Sequence, residues 1–440
     1  MSAWLTAREL WAGLAVLGWL TLCATCLLPA RRRPASLDPA ADWLVAYASQ
    51  SGTAQGMARQ QAEALISAGR RVDLIELNQL QPQQLSRYHR GILIASSWGD
   101  GEPPDNAARF WRLARQQQPD LRHLRYAMLA LGDSQYAEFC GFARQLDGWL
   151  QRSGAQMTLP RLEVDQLDPA PLQRWHTQLA EWTGVTVADA TAQPVTDQWQ
   201  LVTRHHLNSG SPGAPVWLIR LRPCGVMPRW QAGDLARLRI GRQVRSYSLA
   251  SLPEDGVLEL LVRQVIRADG QPGLGSGWLC NQSNPGDLVQ LQIQSNPQFH
   301  LPEELRPAIL IGAGTGLAGL RSLLKQRQRQ GLADNWLIFG ERCEHHDRWL
   351  AEELDGWAES GSLLLDRCFS RQHPSGEYVQ QRLAGKADQL RTWVDRGATI
   401  HVCGSLSNLG QSVQQTLEQL LSAQQWQSLQ QHDRYRRDLY

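Results

Sequence analysis

WLVAYASQSGTAQG, residues 43–56, joins an unbroken apolar run to a turn of Ser, Gln, Gly and Thr, and then to an Ala/Gln-rich segment. A run apolar on both faces is a strand buried on both sides, and a turn rich in hydroxyls and glycine is where such a strand hands over to a helix. Outward from this stretch the same unit recurs. RVDLIEL (71–77), GILIASS (91–97) and YAMLALG (126–132) read as buried strands, and Ala54–Ala68, Asn106–Gln117 and Gly141–Ser153 read as the helices between them. Strands alternating with helices imply a doubly wound parallel sheet, which binds ligands where the strand C-termini open into loops.

The pattern then changes. WQLVTRHHL, VWLIRLRP, LARLRI, SYSLAS and LELLVRQVI are short strand-like runs separated by Gly, Pro and Asp, the signature of a small antiparallel barrel. From about Arg306 the α/β alternation returns in AILIGAG, NWLIFGER, SLLLDRCFS and TIHVCGS, with a helical stretch between each run and the next. The expected organisation is an anchor over 1–30, a linker over 31–41, and α/β, barrel and α/β domains over 42–187, 197–303 and 304–440. A second linker spans 188–196. The fold class is multidomain α/β.

The anchor rests on Leu10–Leu28, nineteen residues without a charge, followed at once by Arg31, Arg32 and Arg33. As a helix this run spans about 28 Å, close to the hydrocarbon thickness of a bilayer. Positive charge after the run predicts a single pass through the inner membrane with the catalytic bulk on the cytoplasmic side. The linker reaches about 35–40 Å at most, so an acceptor close to the membrane is expected.

The formal net charge of +2 excludes a strong nucleic-acid footprint. The eight cysteines form no close pair outside Cys23 and Cys26 in the apolar run, which excludes a zinc ribbon and a disulfide framework. The adjacent His345 and His346 read as surface-loop residues, and no metal is expected.

Three loops follow three strands of the first α/β unit. The first, Ser49, Gln50, Ser51, Gly52, Thr53 and Ala54, offers hydroxyls and backbone N–H groups at a helix N-terminus, which suits a phosphate. By itself such a turn is as often an ordinary helix cap. The second carries Ser97, Trp98, Gly99, Asp100 and Gly101, with glycines that admit a planar ligand and a Trp that can stack on it. The third carries Leu131, Gly132, Asp133, Tyr136, Phe139 and Cys140, with Tyr136 as a second aromatic wall. With these three loops in order, residues 42–187 resemble the flavodoxin-like FMN domain of diflavin reductases. The resemblance implies that they hold FMN.

The second half extends the resemblance to a ferredoxin-reductase-like module. Arg245, Ser246, Tyr247 and Ser248 match the R-x-Y-S signature of an FAD-binding barrel, and Gly273, Gly275 and Ser276 match its pyrophosphate turn. Gly312, Gly314, Thr315 and Gly316 lie between a strand and a helix, as dinucleotide phosphates require, although the glycine spacing alone decides nothing. By resemblance, Arg342, Ser370, Arg371, Tyr378 and Gln380 bind NADPH, with Ser370, Arg371 and Tyr378 on the 2′-phosphate. Cys403 lies beside the nicotinamide and Tyr440 shields the FAD. Asp438 joins Ser248 and Cys403 in organising hydride transfer. The chain departs from the family at Trp98, at Gly319 and Leu320, at Ser405, and in lacking a long helical insert before Arg245.

The resemblance thus implies an NADPH-dependent reductase with FMN, FAD and NADPH as cofactors, passing electrons to a haem or other redox protein. Three alternatives remain at this stage: a ferric or siderophore-iron reductase, a single-flavin reductase, and a flavin-binding redox sensor or assembly factor with little turnover.

Overall fold

A computed structural model describes residues 37–50, 52–97, 101–134, 137–186, 197–241, 243–267, 270–371 and 376–440. Residues 38–440 form one compact unit containing three sheets. The first sheet holds β1 (Trp43–Ala48), β2 (Val72–Glu76), β3 (Arg90–Ser96), β4 (Arg125–Gly132), β5 (Gln156–Met157) and β6 (Leu162–Asp165). The order is β2-β1-β3-β4-β5, with β6 also on β4, and every pairing is parallel. This is the doubly wound order whose switch point lies between β1 and β3. Every residue of β1 is buried, as an apolar run of that length requires.

Helices α1 (Thr53–Ser67), α2 (Asp105–Ala114), α3 (Gly141–Arg152) and α4 (Pro169–Thr183) cover this sheet. The first three fall where the sequence predicts helices. No expectation covers α4, although its signals are local. The Asp168 carboxylate accepts from Ala170 N, Pro169 opens the helix, and Gly184 closes it at φ +67°.

The second sheet is antiparallel: β7 (Asp197–His206), β8 (Val216–Pro223), β9 (Leu235–Ile240), β10 (Gln243–Ser248), β11 (Leu258–Arg263) and β12 (Leu288–Gln294), ordered β10-β9-β12-β7-β8-β11. A bridge between Leu249 and Leu260 ties its two ends into a barrel. The third sheet is parallel, in the order β15-β14-β13-β16-β17. Its strands are β13 (Ala308–Ala313), β14 (Asn335–Glu341), β15 (Leu364–Phe369), β16 (Thr399–Gly404) and β17 (Tyr435–Leu439), with α5 (Leu317–Arg329) and α6 (Ala351–Glu359) packed beside them.

The cores explain how these lobes associate. Ile92, Ile94, Leu129 and Trp175 belong to a core of the first lobe alone. Leu218, Leu252, Leu261 and Phe299 of the barrel segment share one core with Leu310, Leu323 and Cys403 of the third lobe. Apolar burial therefore fuses barrel and third lobe, while the first lobe meets them through polar contacts.

The expected inner-membrane localisation needs correction. No helix among the described residues is long and apolar enough to cross a membrane. The longest, α1 and α4, have 15 residues each, short of the roughly 20 that a bilayer demands. The run Leu10–Leu28, on which the anchor rested, lies outside the described residues, as does most of the first linker.

Candidate functional site

The loop after β1 enters α1 through Gly52, whose φ of +79° is left-handed and suits glycine. Ser49 N donates to Asn106 Oδ1 at 2.9 Å, which ties the first loop to the second. The Ser49 hydroxyl is buried and finds no partner among the described residues. A buried, unsatisfied O–H beside a helix N-terminus fits a phosphate oxygen that would accept from it.

The second and third loops close around one another. Ser97 N donates to Leu131 O at 2.9 Å, and Ser97 Oγ accepts from Phe142 N at 3.1 Å. A Cβ added at Gly101 would meet Glu138 Cβ at 2.7 Å, and one at Gly132 would meet Cys140 Sγ at 2.8 Å. Only glycine permits this approach. Burial, above all, pushes the Cys140 thiol up to about 12, so it stays protonated. Together these loops line a cavity of about 320 Å³. Ser51, Trp98, Gly99, Asp100 and Tyr136 lie outside the described residues.

The barrel supplies a second cavity of about 710 Å³, lined by Arg245, Tyr247, Ser248, Gly273, Gly275 and Ser276, with Thr315, Asp438 and Tyr440 from the third lobe. A Cβ at Gly275 would meet Tyr247 Oη at 2.6 Å, and Ser276 Oγ accepts from Val265 N at 3.0 Å, which fixes the turn. Both cavities lie in the size range of cofactor sites, roughly 300–1,000 Å³.

Ser248, Cys403 and Asp438 converge although they lie on three different strands. Ser248 Oγ donates to Asp438 Oδ2 at 2.6 Å, and Cys403 Sγ approaches the same oxygen at 3.6 Å. Burial raises the Asp438 carboxyl above its ordinary value, while the bonds from Ser248 and Cys403 pull it back. Burial, and then the Asp438 charge, raise the Cys403 thiol well above its own. Gly319, a position where the sequence departs from the family it resembles, belongs to this site. A Cβ there would meet Cys403 Sγ at 3.3 Å and Ser248 Cβ at 3.5 Å. Tyr440 is 51% exposed, and its hydroxyl hydrogen-bonds Thr315 Oγ1 at 2.8 Å.

Under the glycine turn of β13, a Cβ at Gly316 would collide with Cys403 O, and Gly314 is left-handed at φ +60°. The C-terminal ends of β14 and β15 bring Arg342, Ser370 and Arg371 together: Ser370 N donates to Glu341 O, and Arg371 N to Arg342 O, both at 2.8 Å. Neither guanidinium has a hydrogen-bonding or ionic partner among the described residues, and Tyr378 is exposed nearby in sequence. Two uncommitted cations at strand ends fit a phosphate. Gln380 lies on the helix that follows Tyr378.

Residues 45–176 match the family described as flavodoxin, and residues 310–415 match the oxidoreductase NAD-binding domain. The sulfite reductase (NADPH) flavoprotein alpha-component of Photobacterium profundum is 26% identical, over 92% of this chain and 88% of the relative. Its counterparts in Thiocapsa roseopersicina and Vibrio cholerae serotype O1 are 27% and 25% identical, over 86% and 90% of this chain and 83% and 87% of their own. The chain is an NADPH-dependent flavoprotein oxidoreductase. Its cofactors are FMN, FAD and NADPH. The Photobacterium alignment runs over 533 positions against 440 residues here, so the relative carries long stretches that this oxidoreductase lacks.

Several residues of the oxidoreductase's site have no counterpart in the sequence expectations. Arg237 and Gln294 of the barrel line the first-lobe cavity. Arg263 of the barrel reaches across to Glu341 of the third lobe at 2.5 Å, beside Gly314. Alternating buried and exposed positions in LVQLQIQ could have found the β12 strand that carries Gln294. Nothing local marks Arg237 or Arg263.

Proposed function

We propose that this oxidoreductase takes electron pairs from NADPH and passes them through FAD and FMN, singly, to a separate acceptor, a haem or other redox protein. The observation that carries this reading is a shared wall: Gln50, Ser246, Leu439 and Tyr440 line both cavities. Groups held in the two cavities are separated by side chains rather than by a domain. The relatives are named as one component of a sulfite reductase, which supports delivery to a second protein.

When bound, FAD accepts the nicotinamide's electron pair as hydride and FMN releases electrons one at a time. The chain's own residues bind and orient. In the first lobe, the Ser49–Ala54 turn takes the FMN phosphate, and Ser97, Gly101, Leu131, Gly132, Asp133, Phe139 and Cys140 surround the ring. In the barrel, Arg245 and the turn at Gly273–Ser276 would hold the FAD pyrophosphate, and Tyr247 would pack against the flavin. In the third lobe, Gly312, Gly314, Thr315 and Gly316 underlie the NADPH pyrophosphate, and Arg342, Ser370 and Arg371 with Tyr378 receive the 2′-phosphate.

Ser248 commits its proton to Asp438. Cys403 keeps its proton, so it orients by packing and does not attack. Tyr440 lines the cavity beside this position and would have to yield its place for a nicotinamide to reach it. Purified protein is expected to hold FMN and FAD in equal amounts. Selective removal of FMN should abolish reduction of a one-electron acceptor while NADPH still bleaches the FAD. Protein that retains a single kind of flavin after loading with both would refute the reading.

A pH dependence follows from Glu341. Burial pushes its carboxyl up to about 7, against the pull of Arg263. Because the folded value lies above the ordinary carboxylate value, the ionised form is disfavoured in the fold, and the cost enters as pH rises between the two. Below that point Arg263 is free to serve the phosphates at Gly314. Above it, Glu341 holds the guanidinium. The KM for NADPH is therefore expected to rise severalfold between about pH 6 and about pH 8, and Glu341→Gln should flatten that rise. An equally steep profile in the variant would remove Glu341 from the explanation.

A further inference from the structure

Strand β17 presents opposite faces to two different places. Asp438 turns toward Ser248 and Cys403, while its neighbour Arg437 turns to the first lobe, as strand alternation dictates. The Arg437 guanidinium forks onto the Asp105 carboxylate, with Nε at 3.2 Å from Oδ2 and Nη2 on Oδ1. Its remaining nitrogen, Nη1, donates to Gln414 Oε1 at 2.8 Å, and the group lies 5.6 Å from the centre of the Tyr435 ring. Asp105 is the first residue of α2 and is itself held from behind. Gln50 Nε2 donates to Asp105 Oδ2 at 3.2 Å, and Asp105 N donates to Gln50 Oε1 at 2.9 Å.

The ion pair thus runs from the strand that carries the chain end to the loop between the two cavities. The side chains are only 16% and 27% exposed. Among the described residues, the other hydrogen bonds across this seam join uncharged groups, Gln298 Nε2 to Ser49 O and Gln294 Nε2 to Thr53 Oγ1 at 3.3 Å, and Glu102 of the first lobe adds a further negative charge that acts on Arg437. Burial opposes the charge on Arg437, but the Asp105 carboxylate more than restores it, so Arg437 stays protonated at neutral pH.

We infer that Arg437 is a positioning residue whose ion pair with Asp105 clamps the first lobe over the barrel, so that transfer between the flavins depends on it while hydride receipt does not. Tyr440, which follows this strand, lines both cavities, so the ion pair and the shared wall belong to one segment. This rests on the electron path proposed above.

The test uses the full chain loaded with both flavins and follows each flavin's reduction by NADPH in rapid mixing. Arg437→Gln should leave FAD reduction within about twofold of the wild type and slow FMN reduction by about fivefold or more. The wild-type FMN step should slow with added salt, because a partly exposed pair is screened, and the variant's should not. The swap Arg437→Asp with Asp105→Arg should recover most of the loss, which a merely structural role for Arg437 would not allow. An FMN step unchanged in Arg437→Gln, an equal fall in both steps, or a swap that recovers nothing overturns the clamp. A wild type that never reduces FMN overturns the proposed electron path as well, and that outcome is distinct from the other three.

Discussion

Replacing Asp438 with Asn is expected to slow reduction of bound FAD by NADPH about 10²-fold, with flavin content unchanged. The carboxylate is acceptor-only and receives both Ser248 Oγ and Cys403 Sγ on one oxygen. An amide offers one oxygen and an NH₂ group, so one orientation sets donor against donor, and the other lacks the charge that holds the serine proton. Cys403 cannot take over, because burial and the neighbouring carboxylate keep it a neutral thiol. The cost arises from displacing Ser248 by a fraction of an ångström in a packed site.

The pH profile offers a second check on Asp438. Burial raises its carboxyl above the ordinary range, so the wild-type rate should fall on acidification at a higher pH than an ordinary carboxylate would dictate, and Asp438→Asn should lack that limb. Single-turnover flavin bleaching measures both. A variant as fast as the wild type would mean that Ser248 needs no orienting partner.

The strand–turn–helix units were legible because each is specified locally. An apolar run such as WLVAYA can satisfy its burial only inside a parallel sheet, and the glycines at 52, 314 and 316 stand where the backbone is left-handed or approaches another chain segment too closely for a side chain. What escaped is tertiary. YRRDL carries no apolar alternation, and it forms β17 because β16 offers a free edge: Cys403 pairs with Asp438 and Val402 with Arg437. The Arg437–Asp105 pair joins residues 332 positions apart. Any of the many arginines would have served a sequence argument as well.

Gly319 shows the middle case. Measured against the diflavin reductases that the sequence resembles it is a departure, and the structure gives the physical reason. Phe299 Cε1 lies 3.1 Å from where its Cβ would be, and Cys403 Sγ lies 3.3 Å away, so the wall of the site is built by removing a side chain. Motif comparison registers the change of residue but not the space it leaves.

Arg321→Ala should destabilise the fused barrel and third lobe by about 3–5 kcal/mol and release FAD. The side chain is 6% exposed on α5, inside the seam between the two lobes. Its guanidinium donates to Glu353 Oε1 at 3.1 Å, to Ala250 O at 2.8 Å and, by a short contact, to Glu259 Oε2. Glu259 is almost fully buried, with Arg220 Nε at 2.7 Å as its other cation. Removing Arg321 strands a buried carboxylate and a backbone carbonyl together, which costs more than the pair contributed by forming.

The pH dependence of this loss has a definite sign. In the native protein, burial pushes the Glu259 carboxyl up, but the pull of Arg321 and Arg220 overcomes it and the net shift is downward. The stability this pair contributes is therefore complete above the ordinary carboxylate value and is lost as pH falls through the lower folded value. Without Arg321 only Arg220 offsets the penalty of burial, so the variant should be weakest near neutrality and regain part of its deficit on mild acidification. Adding Glu259→Gln to Arg321→Ala should recover part of the loss at neutral pH. Thermal unfolding and FAD release at neutral and mildly acidic pH measure this. A deficit that grows steadily as pH falls would place the seam's stability elsewhere.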